Sequence, residues 1–280
     1  PNFIANRIGC YGLMVTVEEM LKGGFSIGEV DAVTGPAMGR PKSATFRTLD
    51  VVGLDTFVHV AQNVQANVTD PQEQTLFKIP DFLQKMVEQG LIGEKSGAGF
   101  YKKVRTDEGS QILELDLKTF QYVPQKRLQA PSLAQTKNLK GAAERIKLLV
   151  SAKDRAGQLA WNILKRVLLY SAQKLGEIAD DIPSIDQAMK WGFGWELGPF
   201  ETWDAIGLET TVQRMEQEGD QVPDWIKEML AKGQTSFYTS KEGKRFFIYK
   251  GQYKQVEQRP EEISLAALKE EGRVIKQNAG

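Results

Sequence analysis

The sequence predicts a mainly α chain made of two tandem helical units, each ending in a small β-hairpin, and three observations carry that prediction. Phe46-Arg-Thr-Leu-Asp50-Val-Val-Gly53-Leu-Asp-Thr56 is nearly repeated as Phe200-Glu-Thr-Trp-Asp204-Ala-Ile-Gly207-Leu-Glu-Thr210. Matches flank it in the same order on both sides: Val30-Asp31 with Ile185-Asp186, Gly39 with Gly194, the stretch from Pro80 to Gly90 with that from Pro223 to Gly233, and Phe100-Tyr101 with Phe237-Tyr238. Fixed-order self-similarity of this kind marks a duplicated structural unit. Apolar residues return at helical spacing through most of each repeat and change to aromatic and β-branched residues only at its end.

Over residues 5–22, Ile8, Leu13, Val17 and Met20 recur at mostly helical spacing and Gly23-Gly24 supplies a stop, so a long first helix is expected. Ser26-Ile-Gly-Glu29 has the form of a capping box and predicts a short helix over 27–34. The run from Gly35 to Pro41 reads as a rigid loop, followed by helices over 44–50, 55–67 and 80–88. After Gly99, Phe100-Tyr101, Ile112-Leu113 and Tyr122-Val123 predict a hairpin or meander. The second unit closes similarly, with Phe237-Tyr238, Phe246-Phe-Ile-Tyr249 and Tyr253 around the turn Lys241-Glu-Gly243. These signals divide the chain into a first helical unit at 1–123, a structured connector at 124–154 that becomes helical from Ser132, a second unit at 155–258, and a tail at 259–280. The tail has one amphipathic set, Ile263, Leu265 and Leu268, and is expected to lead into a further domain; with Pro1 as its first residue, the chain is expected to be a piece of a longer protein.

Two units fit 280 residues, each with enough chain to bury a core. With 36 basic and 36 acidic residues there is no global attraction to nucleic acid or anionic lipid, and neither is an expected partner. No apolar run reaches the roughly 20 residues of a membrane-spanning helix. The one cysteine, Cys10, excludes an intramolecular disulfide and a cysteine metal cluster. It is read as a small buried apolar residue in a cytoplasmic protein, with no metal site expected.

Chemistry concentrates at the start. Pro1-Asn-Phe-Ile-Ala-Asn6-Arg7 brings an extended segment into a helix and places an amide and a guanidinium near the helix terminus, where polar ligands are favoured. On physical grounds alone Asn6 is either an N-cap or a ligand contact. The only histidine, His59, is read as a core or surface residue and not as a general base. Trp191, Trp195 and Trp203 are expected to pack, helping to join the two copies.

Four blocks together carry a resemblance: Phe3-Ile-Ala-Asn6-Arg7; Asp31 with Gly39; Leu49-Asp50-Val-Val-Gly53-Leu-Asp55; and Gly93-Glu-Lys95-Ser-Gly97-Ala-Gly99-Phe100-Tyr101. In order and spacing they resemble the C-terminal helical domain of the 3-hydroxyacyl-CoA dehydrogenase family. The second unit resembles the same domain through Gly192-Phe-Gly194-Trp-Glu-Leu-Gly198-Pro199-Phe200-Glu201 and Asp204-Ala-Ile-Gly207, so the likeness covers residues 1–103 and 155–240. The first unit departs from the family's Gly-Pro-Phe-Glu block, reading Lys42-Ser-Ala-Thr-Phe46-Arg47, which leaves its loop geometry and acyl specificity open.

The resemblance implies an oxidoreductase of fatty-acid β-oxidation that converts (3S)-3-hydroxyacyl-CoA to 3-ketoacyl-CoA. It implies NAD as cofactor, held mainly by an N-terminal domain not contained in this sequence; Gly192-x-Gly194 with Gly198 has the wrong spacing and setting for a dinucleotide loop. It implies Asn6 as the catalytic residue of this chain, binding the substrate's 3-oxygen, with Arg7 structural. The second unit is expected to be non-catalytic because Trp161-Asn162-Ile-Leu-Lys165 matches only loosely, and to stand in for the dimer partner of one-copy members. Implied partners are an acyl-CoA substrate, the NAD-binding domain of the same parent chain, and an enoyl-CoA hydratase domain beyond the tail; the fragment alone is expected to be inactive. Two other readings remain: a non-catalytic α-helical interaction module, and a dehydrogenase of non-CoA hydroxy acids.

Overall fold

The computed structural model describes residues 3–107 and 109–257, so the expectations placed on the tail at 259–280 lie outside the described residues. Helix α1 (Ile4–Gly23) ends where Gly24 takes φ 64° and returns its amide to the Leu21 carbonyl. Helix α2 (Ile27–Thr34) begins at the expected capping box: the Glu29 amide donates to Ser26 Oγ at 3.3 Å, and the Ser26 amide donates to the Glu29 carboxylate at 2.9 Å. A 3-10 turn at Pro36–Met38 shapes the rigid loop. Helix α3 (Phe46–Val52) starts two residues later than the spacing predicts, because Ala44 adopts φ 50° and keeps the chain out of the helix until Thr45.

Helices α4 (Leu54–Asn67), α5 (Pro71–Leu76) and α6 (Asp81–Glu88) complete the first helical layer. The sequence reading lacks α5, although its start signal is present: Asp70 accepts from the Gln72 amide at 2.8 Å and Pro71 holds the first helical position. Of the hairpin or meander expected, the closing element is the meander, a three-stranded antiparallel sheet in the order β1 (Tyr101–Thr106), β2 (Gly109–Asp116), β3 (Gln121–Pro124). Asp116 turns the chain back for the third strand by accepting from the Lys118 and Thr119 amides, both at 2.9 Å. The connector is structured as expected, with α7 (Pro131–Thr136) and α8 (Ala142–Ser151).

The order of elements then recurs: α9 (Arg155–Gln173), α10 (Ile182–Phe193), α11 (Pro199–Ile206), α12 (Leu208–Gln217) and α13 (Asp224–Ala231). A second antiparallel sheet follows, β4 (Tyr238–Lys241), β5 (Lys244–Tyr249), β6 (Gln252–Gln255). Glu242 and Gly243, at φ 52° and 71°, make the two-residue turn between β4 and β5 whose twist suits a hairpin.

Two buried carboxylates fasten each half, and they occupy the positions that the sequence repeats. Asp31, at the middle of α2, accepts from the Thr45 and Phe46 amides at 3.1 and 2.7 Å on one oxygen, and from the Arg47 amide and the Tyr101 hydroxyl at 3.0 and 2.8 Å on the other. The first amides of a helix have no partner within it, and a carboxylate there also meets the positive end of the helix dipole. Asp186 on α10 does the same for α11, accepting from Phe200 and Glu201 amides at 2.8 and 3.1 Å and from the Tyr238 hydroxyl at 2.7 Å. Asp50 ties the end of α3 to the first sheet through the Phe100 and Tyr101 amides at 2.8 and 2.9 Å, and Asp204 holds Phe237 and Tyr238 at the same two distances. Gly99 permits the first of these approaches, since a Cβ there would lie 2.1 Å from the Asp50 carboxylate oxygen.

Between the halves, α1 and α9 run antiparallel: Arg7 meets Tyr170, Gly12 meets Val167, and Glu19 meets Asn162. The end of α10 closes on α1 at Gly9, where a Cβ would fall 1.9 Å from the Phe193 ring, so any larger residue would force that ring to move. One continuous apolar core results, with Ile8, Val15 and Val17 of α1 and Ile163, Val167 and Leu168 of α9 all buried. The expectation for the tryptophans holds in part. Trp203 is buried and Trp195 lies 4.4 Å beneath the Arg40 guanidinium across the halves, but Trp191 is 62% exposed, because it is Phe193 that α10 turns toward α1.

Burial, together with the neighbouring Glu201, pushes the Asp186 carboxyl up to about 8, against the pull of the Tyr238 hydroxyl and two backbone amides. A carboxyl raised on folding contributes stability that is fully present below its unfolded value and lost as pH rises through the folded one. The urea midpoint should therefore decline between about pH 4 and about pH 8. Asp186→Asn, neutral at every pH, should show a shallower decline; an identical slope in both proteins would assign the pH dependence elsewhere.

Candidate active-site face at the start of the first helix

Phe3 precedes α1 in an extended conformation (φ −67°, ψ 152°) with its ring 82% exposed, and it supplies no side-chain cap. The first turn of α1 contains no acidic residue. The free amides and the dipole of a 20-residue helix therefore leave its start electropositive. Asn6 lies in this turn as the third helical residue, which excludes the N-cap role the sequence left open. Its side chain is half-buried and makes no hydrogen bond among the described residues. An amide in this position can donate to an oxygen in front of the helix.

What surrounds Asn6 is rigid. Ala5 abuts Gly192, where a Cβ would come within 2.7 Å of the alanine methyl. Arg7, at 1% exposure, points into the protein, and its structural assignment is more specific than bracing one helix start. Its Nε donates to the Tyr170 hydroxyl at 2.7 Å, and its Nη2 donates to Glu73 at 2.7 Å and Glu177 at 3.0 Å. Lys174 pairs with both carboxylates, the Glu177 contact being 2.8 Å, so two cations and two anions close a neutral cluster. Burial draws the Arg7 guanidinium down, but Tyr170 and Glu73 more than offset it and its pKa is raised. Tyr170 also stacks on Tyr11 with ring centres 3.7 Å apart. Glu73 comes from α5, the element absent from the sequence reading, and Tyr170, Lys174 and Glu177 come from the second half; no local motif links these positions.

The start of α9 lacks an equivalent. In the repeat register that pairs Asp31 with Asp186 and Gly39 with Gly194, Trp161 is the counterpart of Asn6. Trp161 is buried, with its indole N–H on Glu218. Asn162 donates to Glu19 at 3.2 Å, and Asp154 caps the helix through the Gly157 amide at 2.9 Å. His59 is exposed on α4, and Cys10 is buried with its thiol pushed up to about 12 by burial. Gly192-x-Gly194 closes the end of α10, Gly194 being its cap at φ 65°, and is not a strand-to-helix phosphate turn.

The family model for the C-terminal domain of 3-hydroxyacyl-CoA dehydrogenase matches residues 3–103 and again 163–249. A Bacillus subtilis protein described as a probable 3-hydroxyacyl-CoA dehydrogenase is 56% identical over 280 residues, the whole of this chain and 35% of that protein. A Deinococcus radiodurans protein of the same description is 38% identical over 143 residues, 51% of this chain and 40% of its own. The fatty acid oxidation complex subunit alpha of Psychrobacter cryohalolentis is 25% identical over 256 residues, 86% of this chain and 31% of its own. Among solved structures, 3-hydroxybutyryl-CoA dehydrogenase from Escherichia coli K12 aligns with 83% of this chain and 61% of its own at 15% identity and a TM-score of 0.46. The chain spans about a third of the length of the curated relatives it matches.

Removing one partner of a buried ion cluster costs about 3 kcal/mol or more, because it leaves charge uncompensated. Arg7→Ala is accordingly expected to lower the unfolding free energy by about 3 kcal/mol, read from denaturant midpoints. A loss below about 0.5 kcal/mol, the size of a surface substitution, would show that the cluster does not hold the first helix in place.

Proposed function

The chain belongs to the 3-hydroxyacyl-CoA dehydrogenase family through its C-terminal domain, and we propose that it is the substrate-holding helical part of an NAD-dependent (3S)-3-hydroxyacyl-CoA dehydrogenase of fatty-acid oxidation. The reading includes two tandem copies of the domain, the first catalytic and the second occupying the place of a dimer partner. The matching carboxylate clamps of the two halves support the duplication. The difference between an open α1 start and a capped α9 start supports the division of labour.

The observation that carries the proposal is Asn6, an uncommitted amide held in the first turn of a helix whose start is electropositive and whose next residue is locked into the core. Oxidation of a 3-hydroxyl removes a proton from oxygen and a hydride from C3, so charge on the 3-oxygen changes most in the transition state. A donor fixed at that oxygen before reaction stabilises it without reorganising. Asn6 Nδ2 is that donor, assisted by the α1 dipole, and Arg7 is a positioning residue behind it. NAD would supply the hydride acceptor; Gly192-x-Gly194 does not form a turn for its phosphates, and in this reading NAD and the base belong to another domain of the parent protein. The acyl-CoA would then lie in a cleft between that domain and the α1 face, a usual ligand location. A cytoplasmic setting agrees with the single buried thiol.

Asn6→Ala in the full-length protein should reduce acetoacetyl-CoA-dependent NADH oxidation roughly 100-fold, chiefly in kcat. Unchanged turnover would remove Asn6 from the chemistry and favour an interaction module of the same fold. Turnover of the free hydroxy acid in place of its CoA thioester would transfer the reading to a different substrate class.

A further inference from the structure

A concavity away from Asn6 has the character of a binding site. It encloses about 1000 Å³ between α2, the loop after the first 3-10 turn, β2 and the connector. Six of its lining residues are cations: Lys42, Arg47, Lys126, Arg127, Lys137 and Arg145. Its one acidic lining residue, Asp31, already accepts from four donors. In a chain with 36 residues of each sign, this is a local excess and not a general basic surface.

Arg47 and Arg145 have carboxylate partners in Glu94 and Glu196. Lys42, Lys126, Arg127 and Lys137 form no ion pair among the described residues. The floor is apolar: Ile112 is 47% exposed, and Leu128 and Leu133 are half-buried beside it. A solvated charged face needs no such floor, whereas a ligand with an anionic end and a flat apolar body uses both. Ile112, Leu128, Leu133 and four of the six cations also lie between residues 104 and 162, the stretch that separates the two segments matched by the family model. The groove is thus built largely from chain outside the shared domain.

We propose that this groove binds a nucleotide carrying two or more phosphates, with the phosphates on the cationic rim and the base against Ile112, Leu128 and Leu133. Lysines and arginines there act as point charges and forked donors for phosphate oxygens. Coenzyme A and free adenine nucleotides share this chemistry. The proposal does not depend on the role of Asn6.

The test is fluorescence anisotropy of etheno-CoA and etheno-ADP on the full-length protein saturated with NAD and with acetoacetyl-pantetheine, a thioester without a nucleotide, so that neither the dinucleotide site nor the proposed acyl-CoA cleft takes up the probe. Lys126→Glu/Arg127→Glu is compared with wild type and with Lys227→Glu as a surface control. Both groove residues are exposed, so folding should be kept, and Lys137→Glu provides an independent second variant. The groove variants should weaken binding at least 10-fold, with the control unchanged. CoA binding more tightly than ADP would identify a CoA site; equal binding would identify a general adenine nucleotide site. Affinity unchanged in both groove variants would overturn the proposal, as would inorganic pyrophosphate competing as well as either nucleotide, since the apolar floor would then have no part. Loss of the proposed dehydrogenase activity in Asn6→Ala with nucleotide binding intact, or the reverse in the groove variants, separates failure of one proposal from failure of the other.

Discussion

The buried pair of Arg7 and Glu73, held by Tyr170 and Lys174 and closed at the surface by Glu177, is the constraint on which the geometry of the chain turns. Desolvating Arg7, Glu73 and Lys174 is unfavourable unless every charge is matched, and matching them requires α1, α5 and the end of α9 to be in one relative position. Apolar packing along α1 and α9 would tolerate small slides. A guanidinium bonded to a phenol and two carboxylates would not. Fixing α1 in this way also fixes the residue before Arg7, and it leaves the Asn6 side chain at the helix start.

The second constraint is the pair of carboxylates within each half. Asp31 and Asp186 supply the missing acceptors for the first amides of α3 and α11, while Asp50 and Asp204 fasten those helices to their sheets. One phenol in each half, Tyr101 or Tyr238, reaches back to the first carboxylate and closes the circuit. Burial and the adjacent carboxylates raise both phenols' pKa values, so they remain donors at any ordinary pH. The halves share this frame and differ where it meets their leading helices. Open in α1 and capped by Asp154 in α9, the two helix starts have become chemically unequal on one scaffold.

Much of the frame was legible because its parts are the parts that repeat. Asp31, Asp50 and Tyr101 recur as Asp186, Asp204 and Tyr238, and a residue that must reach several backbone groups tolerates little change. The capping box at Ser26 and the glycine stop after α1 were readable from local chemistry alone. Tyr122-Val123 and Tyr253 marked the third strand of each sheet, but the choice between hairpin and meander stayed open, since Gln121–Pro124 and Gln252–Gln255 are short edge segments with little apolar alternation. Helix α5 is six residues long, too short for periodicity to register, and its cap signal at Asp70-Pro71 is the only local trace. Family likeness alone makes Asn6 the candidate, and the partners that immobilise its neighbour lie up to 170 residues away, where pairing leaves no pattern in a single sequence.

The central claim is that the α1 start presents the Asn6 amide to the substrate's 3-oxygen. A crystal structure of the full-length protein with NAD and acetoacetyl-CoA tests it most directly. Asn6 Nδ2 should then lie at about 2.7–3.2 Å from the 3-oxygen, with Arg7 still bound to Tyr170 and Glu73. A 3-oxygen well beyond hydrogen-bond reach of Asn6, or a substrate seated against the start of α9, would contradict it.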